Sequence, residues 1–349
     1  MKKYSQAIRK IALSLTSILA VGSQISGATI AHGETSLPPV SHSFLANVYV
    51  NKVMTEGMSY SADRVERVEI NSDGMLAAKD FTVTKNIDNT LIATGRNGFV
   101  TQVFIENEKG FSIRAYLNVA DKYTKIGLTT NYVEPGTLDN KNQYIYGRKV
   151  RDGVNSKQIV RQSVKTGALS YHFDVTKNGG GSVCGIATDN KYKLAFFTHL
   201  LPTKTILYSF DLNNGKYKKV QELAAGFCID TVIDAKRFAG VELNVKSETW
   251  DNPTNLIFVD LAKGKNLIPL TLPFELKWIS EHQMLVAENY LYLNEPFDRR
   301  DNTVQYPDPV HIYIDLNQPL GDTASIIEVS GKGALFGQYA GINYPPIKP

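Results

Sequence analysis

The sequence predicts an all-β protein built from copies of one unit of about 50 residues, and three observations predict it. A polar turn carrying Asp recurs at Asp88-Asn89, Asp139-Asn140-Lys141, Asp189-Asn190-Lys191 and Asp234-Ala235-Lys236, at separations of 51, 50 and 45, with a weaker fifth copy at Ser280-Glu281-His282. An apolar run ending in a turn recurs at Leu207–Gly215, Leu256–Gly264 and His311–Pro319, with fainter copies at Val160–Gly167 and Ile113–Asp121. Finally, 18 Tyr and 15 Phe against 5 Met favour strands over helices. A fixed period in this range means one supersecondary unit, copied, whose apolar faces are buried only by stacking on its neighbours.

Taken in order, the chain opens on a segment that reads as a secretory signal peptide. Lys2, Lys3, Arg9 and Lys10 form a basic start, Ile11–Gly22 is a short apolar run, and the small residues around Ala28 and Ala31 suit cleavage. The apolar run is too short to span a bilayer, although an uncleaved anchor is the alternative. Residues 1–31 are therefore expected to be removed, with the exported chain starting between Gly22 and Thr35. Residues 32–43, with Pro38-Pro39, read as a polar tether. From Phe44 the text is strand and turn in one domain, 44–349. Asn47–Val50, Arg67–Ile70, Gly98–Glu106, Ser112–Val119, Gln143–Tyr146 and Leu285–Leu293 are strand-like runs, separated by turns such as Glu134-Pro135-Gly136 and Asn178–Gly181.

A unit of this length accommodates four short strands. The two repeated patterns resemble the strand-joining turns of β-propellers: Thr188–Lys191 and Ile233–Lys236 the turn between the first two strands of a blade, Leu207–Gly215 and Leu256–Gly264 the turn between the last two. The resemblance covers most of the chain after the leader and is to a fold, not to a particular family. It implies a β-propeller of six blades, with seven as the runner-up and a β-helix or sandwich as the other architecture. It also implies a ring closed by pairing of N- and C-terminal strands, near Asn47–Val50 and Ile326–Val329, since closure removes exposed sheet edges.

The four cations before Glu34 account for the whole net charge of +4. The exported chain is thus near neutral, which gives no electrostatic case for nucleic acid or an anionic membrane. No apolar run after the leader is long enough for a transmembrane segment, and a monomer is expected. The only cysteines, Cys184 and Cys228, precede the turns at Asp189 and Asp234 by nearly equal spacings. They are either a disulfide between neighbouring units or two buried thiols; their spacing fits neither zinc nor thioredoxin-type chemistry. The six histidines form no HxH or HExxH pattern, Gly179–Gly181 is not a phosphate loop, and no nucleophile elbow is present, so no metal or cofactor is expected.

The repeated Asp residues, including Asp211, Asp260 and Asp315, are expected to accept backbone hydrogen bonds in turns. Candidate binding residues lie in loops expected between second and third strands. Ser247–Thr254 offers Trp250, Asp251 and Asn252. Asn294–Pro309 offers Asp298, Arg299, Arg300, Asp301 and Tyr306, and Gly147–Gly153 offers a basic loop with Arg148 and Arg151. Asn294–Pro309 also breaks the period, since Leu261 to Leu316 spans 55 residues against 48 and 49 in the two preceding intervals. Aromatic rings beside carboxylates and amides suit a sugar or a peptide, and Arg and Tyr are enriched at binding hot spots. Two functions follow. One is an exported non-catalytic module that binds a protein or small ligand, including a glycan, at one face. The other is a glycan- or lactone-active hydrolase that uses channel-facing carboxylates, Asp251, Asp298 and Asp301 among them, or a bound divalent ion.

Overall fold

The computed structural model describes residues 43–54, 57–70, 76–82, 89–94, 98–105, 110–117, 123–129, 131–139, 141, 143–151, 157–189, 193–242, 255–273, 284–287, 289–295, 310–330 and 336–340. The chain divides into Met1–Ser36 and Leu37–Pro349. The first unit, and with it the expected leader and cleavage site, lies outside the described residues. The described residues of the second form mainly antiparallel strands, with single 3-10 turns. No helix among the described residues is long and apolar enough to cross a membrane.

The strands are β1 (Ser43–Met54), β2 (Gly57–Ile70), β3 (Leu76–Thr82), β4 (Asn89–Thr94), β5 (Gly98–Ile105), β6 (Gly110–Leu117), β7 (Tyr123–Thr129) and β8 (Asn131–Leu138). There follow β9 (Tyr144–Arg151), β10 (Gln158–Ser163), β11 (Leu169–Asp174), β12 (Ser182–Thr188), β13 (Leu194–Leu201), β14 (Lys204–Asp211), β15 (Tyr217–Leu223) and β16 (Phe227–Val232). The last are β17 (Arg237–Glu242), β18 (Asn255–Asp260), β19 (Leu267–Thr271), β20 (Met284–Ala287), β21 (Tyr290–Glu295), β22 (Val310–Asp315), β23 (Ile326–Ser330) and β24 (Phe336–Ala340). Pairing groups them by fours. β12 to β15, β16 to β19 and β20 to β23 each form a meander, and β4 to β7 and β8 to β11 are two more, joined by a short parallel pairing of Ala93 with Gly136 and Thr94 with Thr137. The remaining sheet runs β24-β1-β2-β3. Its first strand comes from the end of the chain: Leu45 pairs with Ala340, Ala46 with Tyr339 and Val48 with Phe336. The expected partner segment, Ile326–Val329, instead lies in β23 at the outer side of the preceding sheet, paired with β22. The first strands of successive sets, β24, β4, β8, β12, β16 and β20, each neighbour the next, and β20 neighbours β24.

The core lies between sheets rather than within one. Tyr146, Ile159 and Phe173 of the third set pack on Val183, Phe197 and Phe210 of the fourth. Phe196 and Leu207 of the fourth pack on Phe227, Ile229 and Phe238 of the fifth. Leu256 and Phe258 of the fifth pack on Met284, Leu291 and Ile312 of the sixth. A strand covered on both faces must be apolar at consecutive positions, which is why Leu194–Leu201 reads LAFFTHLL and why adjacent residues Phe196 and Phe197 serve opposite neighbours. First strands meet closely. Thr198 donates its hydroxyl to the Cys184 carbonyl (2.7 Å) and accepts the Ile229 N–H (3.4 Å). Gly185, at φ +62, faces the Ile229 carbonyl where any Cβ would collide. Cys184 and Cys228 are joined as a disulfide across the same seam, with Cα atoms 5.4 Å apart.

Three local expectations are corrected. Gly147–Arg151 is not a loop: it belongs to β9, where Lys149 pairs with Val133 and Arg151 with Asn131. Leu285–Leu293 is two strands, because the chain turns between Ala287 and Tyr290. The polar turns are equivalent only at Asp139, Asp189 and Asp234. Asp88 lies outside the described residues, but Asn89 already begins β4, so Asp88 precedes the first strand of its unit rather than following it. Ser280–His282, also outside them, precedes β20 rather than following it.

Candidate functional site

The repeated Asp side chains hold turns. Asp139 Oδ1 accepts the backbone N–H groups of Gln143 (2.6 Å) and Tyr144 (2.9 Å). Asp189 does so for Lys193 (2.7 Å) and Leu194 (3.1 Å), and Asp234 for Lys236 (2.8 Å) and Arg237 (2.9 Å). At the other repeated turn, Asp211, Asp260 and Asp315 each accept the N–H two residues on, from Asn213, Ala262 and Asn317. Each carboxylate replaces a lost ladder bond, which explains both its identity and its period.

The predicted binding residues fall on segments whose topological position is fixed by their flanking strands. Trp250, Asp251 and Asn252 lie in 243–254, between β17 and β18; Asp298, Arg299, Arg300, Asp301 and Tyr306 lie in 296–309, between β21 and β22. These residues themselves are outside the described ones. Both segments join the second and third strands of consecutive sets, so both leave the sheets at the same end. They are long where the corresponding connection of the fourth set is only Pro202-Thr203. The Asp turns lie at the opposite end.

The described side chains bring together polar groups that sequence reasoning did not single out. On one face of the third set, cross-strand pairing aligns Tyr146, Arg161 and Ser170. The Arg161 guanidinium lies over the Tyr144 ring at 4.3 Å and donates through Nε to Ser170 Oγ (3.2 Å). His172, two residues on from Ser170, places Nδ1 3.1 Å from the Gly215 carbonyl of the fourth set and Nε2 3.3 Å from Ser170 Oγ. Since a carbonyl only accepts, Nδ1 carries the proton, while the Ser170 hydroxyl lies within reach of both Nε2 and the Arg161 carbonyl (3.4 Å). Burial, then the Arg161 charge, holds His172 below the usual histidine range, against the opposing pull of the Gly215 carbonyl. His199 is fully buried, with Nε2 2.6 Å from the Gly180 carbonyl, and burial lowers it too.

Elsewhere, Glu222 takes Lys204 (3.1 Å), Lys219 (3.1 Å) and Lys265 (3.5 Å), which tie β15 to β14 and to the segment leading into β19. Hydrogen bonds from Lys219 and Lys204 lower its carboxyl to about 2. Asp230 on β16 is buried and accepts the Met284 N–H (3.2 Å), linking the fifth and sixth sets. Among the described residues no three His, Cys, Asp or Glu side chains converge in a way that could hold a metal ion.

The histidines give the protein a pH response. An unfolded chain takes up protons near pH 6.5 that folded His172 and His199 refuse, so stability is full above that value and falls as pH drops below it toward their lowered folded values. A second loss follows between about pH 4 and 2, as Glu222 and Asp174, both at about 2, are titrated. Urea midpoints should decline from pH 7.5 to 5.5, and the double variant His172→Gln/His199→Gln should flatten that slope. A midpoint that stays level or rises over this interval contradicts the assignment.

No protein-family model matches the sequence, and no curated protein matches it. The fold is similar to that of TolB from Acinetobacter baumannii, at 13% identity and a TM-score of 0.51, over 86% of this chain and 66% of that one. It is similar also to a structure of a nidogen/laminin complex, at 11% identity and a TM-score of 0.50, over 86% of this chain and 97% of that one. The chain spans just under two thirds of that TolB chain. At these identities the likeness is one of fold, and the folds are propellers. Radially repeated four-stranded antiparallel sheets, cores between neighbouring sheets and these two likenesses lead to one architecture: the chain is an all-β propeller.

Proposed function

We propose that the chain is an exported, non-catalytic propeller that binds a protein or small ligand at the end of its sheets carrying the connections 243–254 and 296–309. The observation that carries this reading is topological. The two long second-to-third connections belong to consecutive units and emerge at one end, and insertions in a repeat protein gather on the binding face. Their residues, Trp250, Asp251, Asn252, Asp298, Arg299, Arg300, Asp301 and Tyr306, combine aromatic surface with charge and amide groups. Export rests on the basic and apolar leader, with residues 1–31 removed, 32–43 as a tether and 44–349 as the propeller. The disulfide between Cys184 and Cys228 fits an oxidising compartment.

Replacing Trp250, Arg299, Arg300 and Tyr306 together with Ala tests the proposal. Exposed loop changes alter stability by about 0.5 kcal/mol or less each, so the variant should melt close to the parent while retention of its partner in a pull-down is lost. A variant that folds and retains the partner normally places the binding face elsewhere; one that unfolds shows the segments to be structural.

A further inference from the structure

We propose that Asn178-Gly179, in the connection between the third and fourth units, is a site of spontaneous deamidation in the folded protein, with water as co-reactant. The same dipeptide at Asn214-Gly215 is held unreactive by its hydrogen bonds. The inference does not rest on the reading given to 243–254 and 296–309.

The chemistry is intrinsic to an asparagine followed by glycine. The glycine backbone nitrogen gives its proton to solvent base and attacks Cγ of the asparagine side chain. The N–Cγ bond forms, the Cγ–Nδ2 bond breaks and Nδ2 leaves as ammonia, which closes a succinimide ring. Water then opens the ring. Hydrolysis of the new N–Cγ bond leaves Asp; hydrolysis of the original peptide C–N bond leaves isoaspartate, whose main chain runs through the side-chain carbon. Glycine favours the attack because it has no Cβ to hinder the approach and the least restricted backbone. A fold suppresses the reaction where it fixes the attacking nitrogen and the amide.

Asn-Gly occurs at Asn97, Asn178 and Asn214; Asn97 lies outside the described residues. At Asn214 the reacting groups are all engaged. Its Nδ2 donates to Asp211 Oδ2 (2.8 Å) and its Oδ1 accepts the Lys216 N–H (2.8 Å). The Gly215 N–H donates to the Asp211 carbonyl (2.8 Å), and the Gly215 carbonyl accepts from His172 Nδ1 (3.1 Å). Gly215 is buried, with the His172 ring 2.7 Å from where a Cβ would stand.

At Asn178 the amide is tied at Nδ2, which donates to the Asp174 carbonyl (2.7 Å). Gly179 is exposed, at φ +95, with nothing within 4 Å of its Cβ position. The N–H groups on either side of it, those of Asn178 and Gly180, both donate to the Val175 carbonyl (3.0 and 2.7 Å), whereas its own N–H has no acceptor among the described residues. The attacking nitrogen is thus free and open to water, beside an amide with a single tie.

The modification falls where two units are fastened together. Asn178 closes the 3-10 turn Val175–Lys177 and holds Asp174 at the end of β11, while Gly180 offers its carbonyl to His199 of the fourth unit (2.6 Å). A carboxylate in place of the amide cannot donate to the Asp174 carbonyl and repels it. Isoaspartate adds a carbon to the main chain between these two anchors.

Peptide mapping tests the site. The purified protein is incubated at mildly alkaline pH, folded and separately in urea, then reduced and digested with trypsin, which releases 178–191 and 205–216. Fragmentation mass spectrometry reads the replacement of –NH2 by –OH at each asparagine, and isoaspartate-specific methylation reads the rearranged product. In the folded protein Asn178 should be modified about tenfold or more faster than Asn214, which must open several more hydrogen bonds to react. In urea the two rates should converge. An Asn178 that stays intact in the folded protein, or that is modified no faster than Asn214, overturns the proposal. A difference that persists in urea overturns the role given to the hydrogen bonds. The variant Asn178→Asp, one of the two products, should melt below the parent; a parental melting temperature overturns the consequence assigned to the modification.

Discussion

Deleting residues 331–349 is expected to abolish cooperative unfolding. Those residues contain β24, the strand that pairs with β1 at the head of the sheet β24-β1-β2-β3 and that neighbours both β20 and β4. Without it, β1 becomes an unpaired edge facing its neighbours, and the first and last sets lose the strand that brings them together. The third to sixth units bury apolar faces on one another, and an unpaired strand edge also invites association between molecules. Deletion of 341–349 alone leaves β24 in place and should melt like the parent. Calorimetry of both truncated proteins reads the difference. If the longer deletion still unfolds in one sharp transition near the parental temperature, β24 does not hold the ring.

Removing the disulfide should have the next largest effect. Cys184 and Cys228 are 44 residues apart in sequence and sit on the first strands of adjacent units, both nearly inaccessible to solvent. Closing a loop of that length restricts the unfolded chain by about 4 kcal/mol in the chain-entropy description. For a domain of this size that corresponds to roughly 6–10 °C in melting temperature. The variant Cys184→Ala/Cys228→Ala should therefore melt lower by about that amount under oxidising conditions, and reductant should lower the parent toward it only as the parent unfolds. Parent and variant melting together in the absence of reductant would show that the bond adds nothing to stability.

What could be read from the sequence was whatever local chemistry dictates. A carboxylate that caps a tight turn imposes its own residue type, so Asp139, Asp189, Asp234, Asp211, Asp260 and Asp315 marked turns that the structure contains, and the near-equal spacing of Cys184 and Cys228 from two of them placed both on corresponding strands. What depended on register was not legible. Gly147–Arg151 looks like a charged loop, yet pairing with β8 makes it strand. The apolar run Leu285–Leu293 conceals a turn because both strands are buried. Asp88 and Ser280–His282 fit the period by position but not by place in the unit. The strand that pairs with β1, Phe336–Ala340, carries no turn signature, and Ile326–Val329 is the more apolar run near the chain's end. The Arg161 cluster required knowing that Tyr146, Arg161 and Ser170 stand opposite one another on three strands; the only trace in the sequence is an alternation of polar and aromatic residues at 144, 146, 170 and 172.

In the proposed reading, binding belongs to the long second-to-third connections, whereas the repeated Asp turns are structural. Hydrogen exchange of the protein, free and with the partner it retains in a pull-down, tests this most directly. Partner binding should slow exchange within 243–254 and 296–309 and leave the turns at 139–143, 189–193 and 234–237 unchanged. Slowed exchange confined to those turns, with 243–254 and 296–309 unaffected, would contradict it.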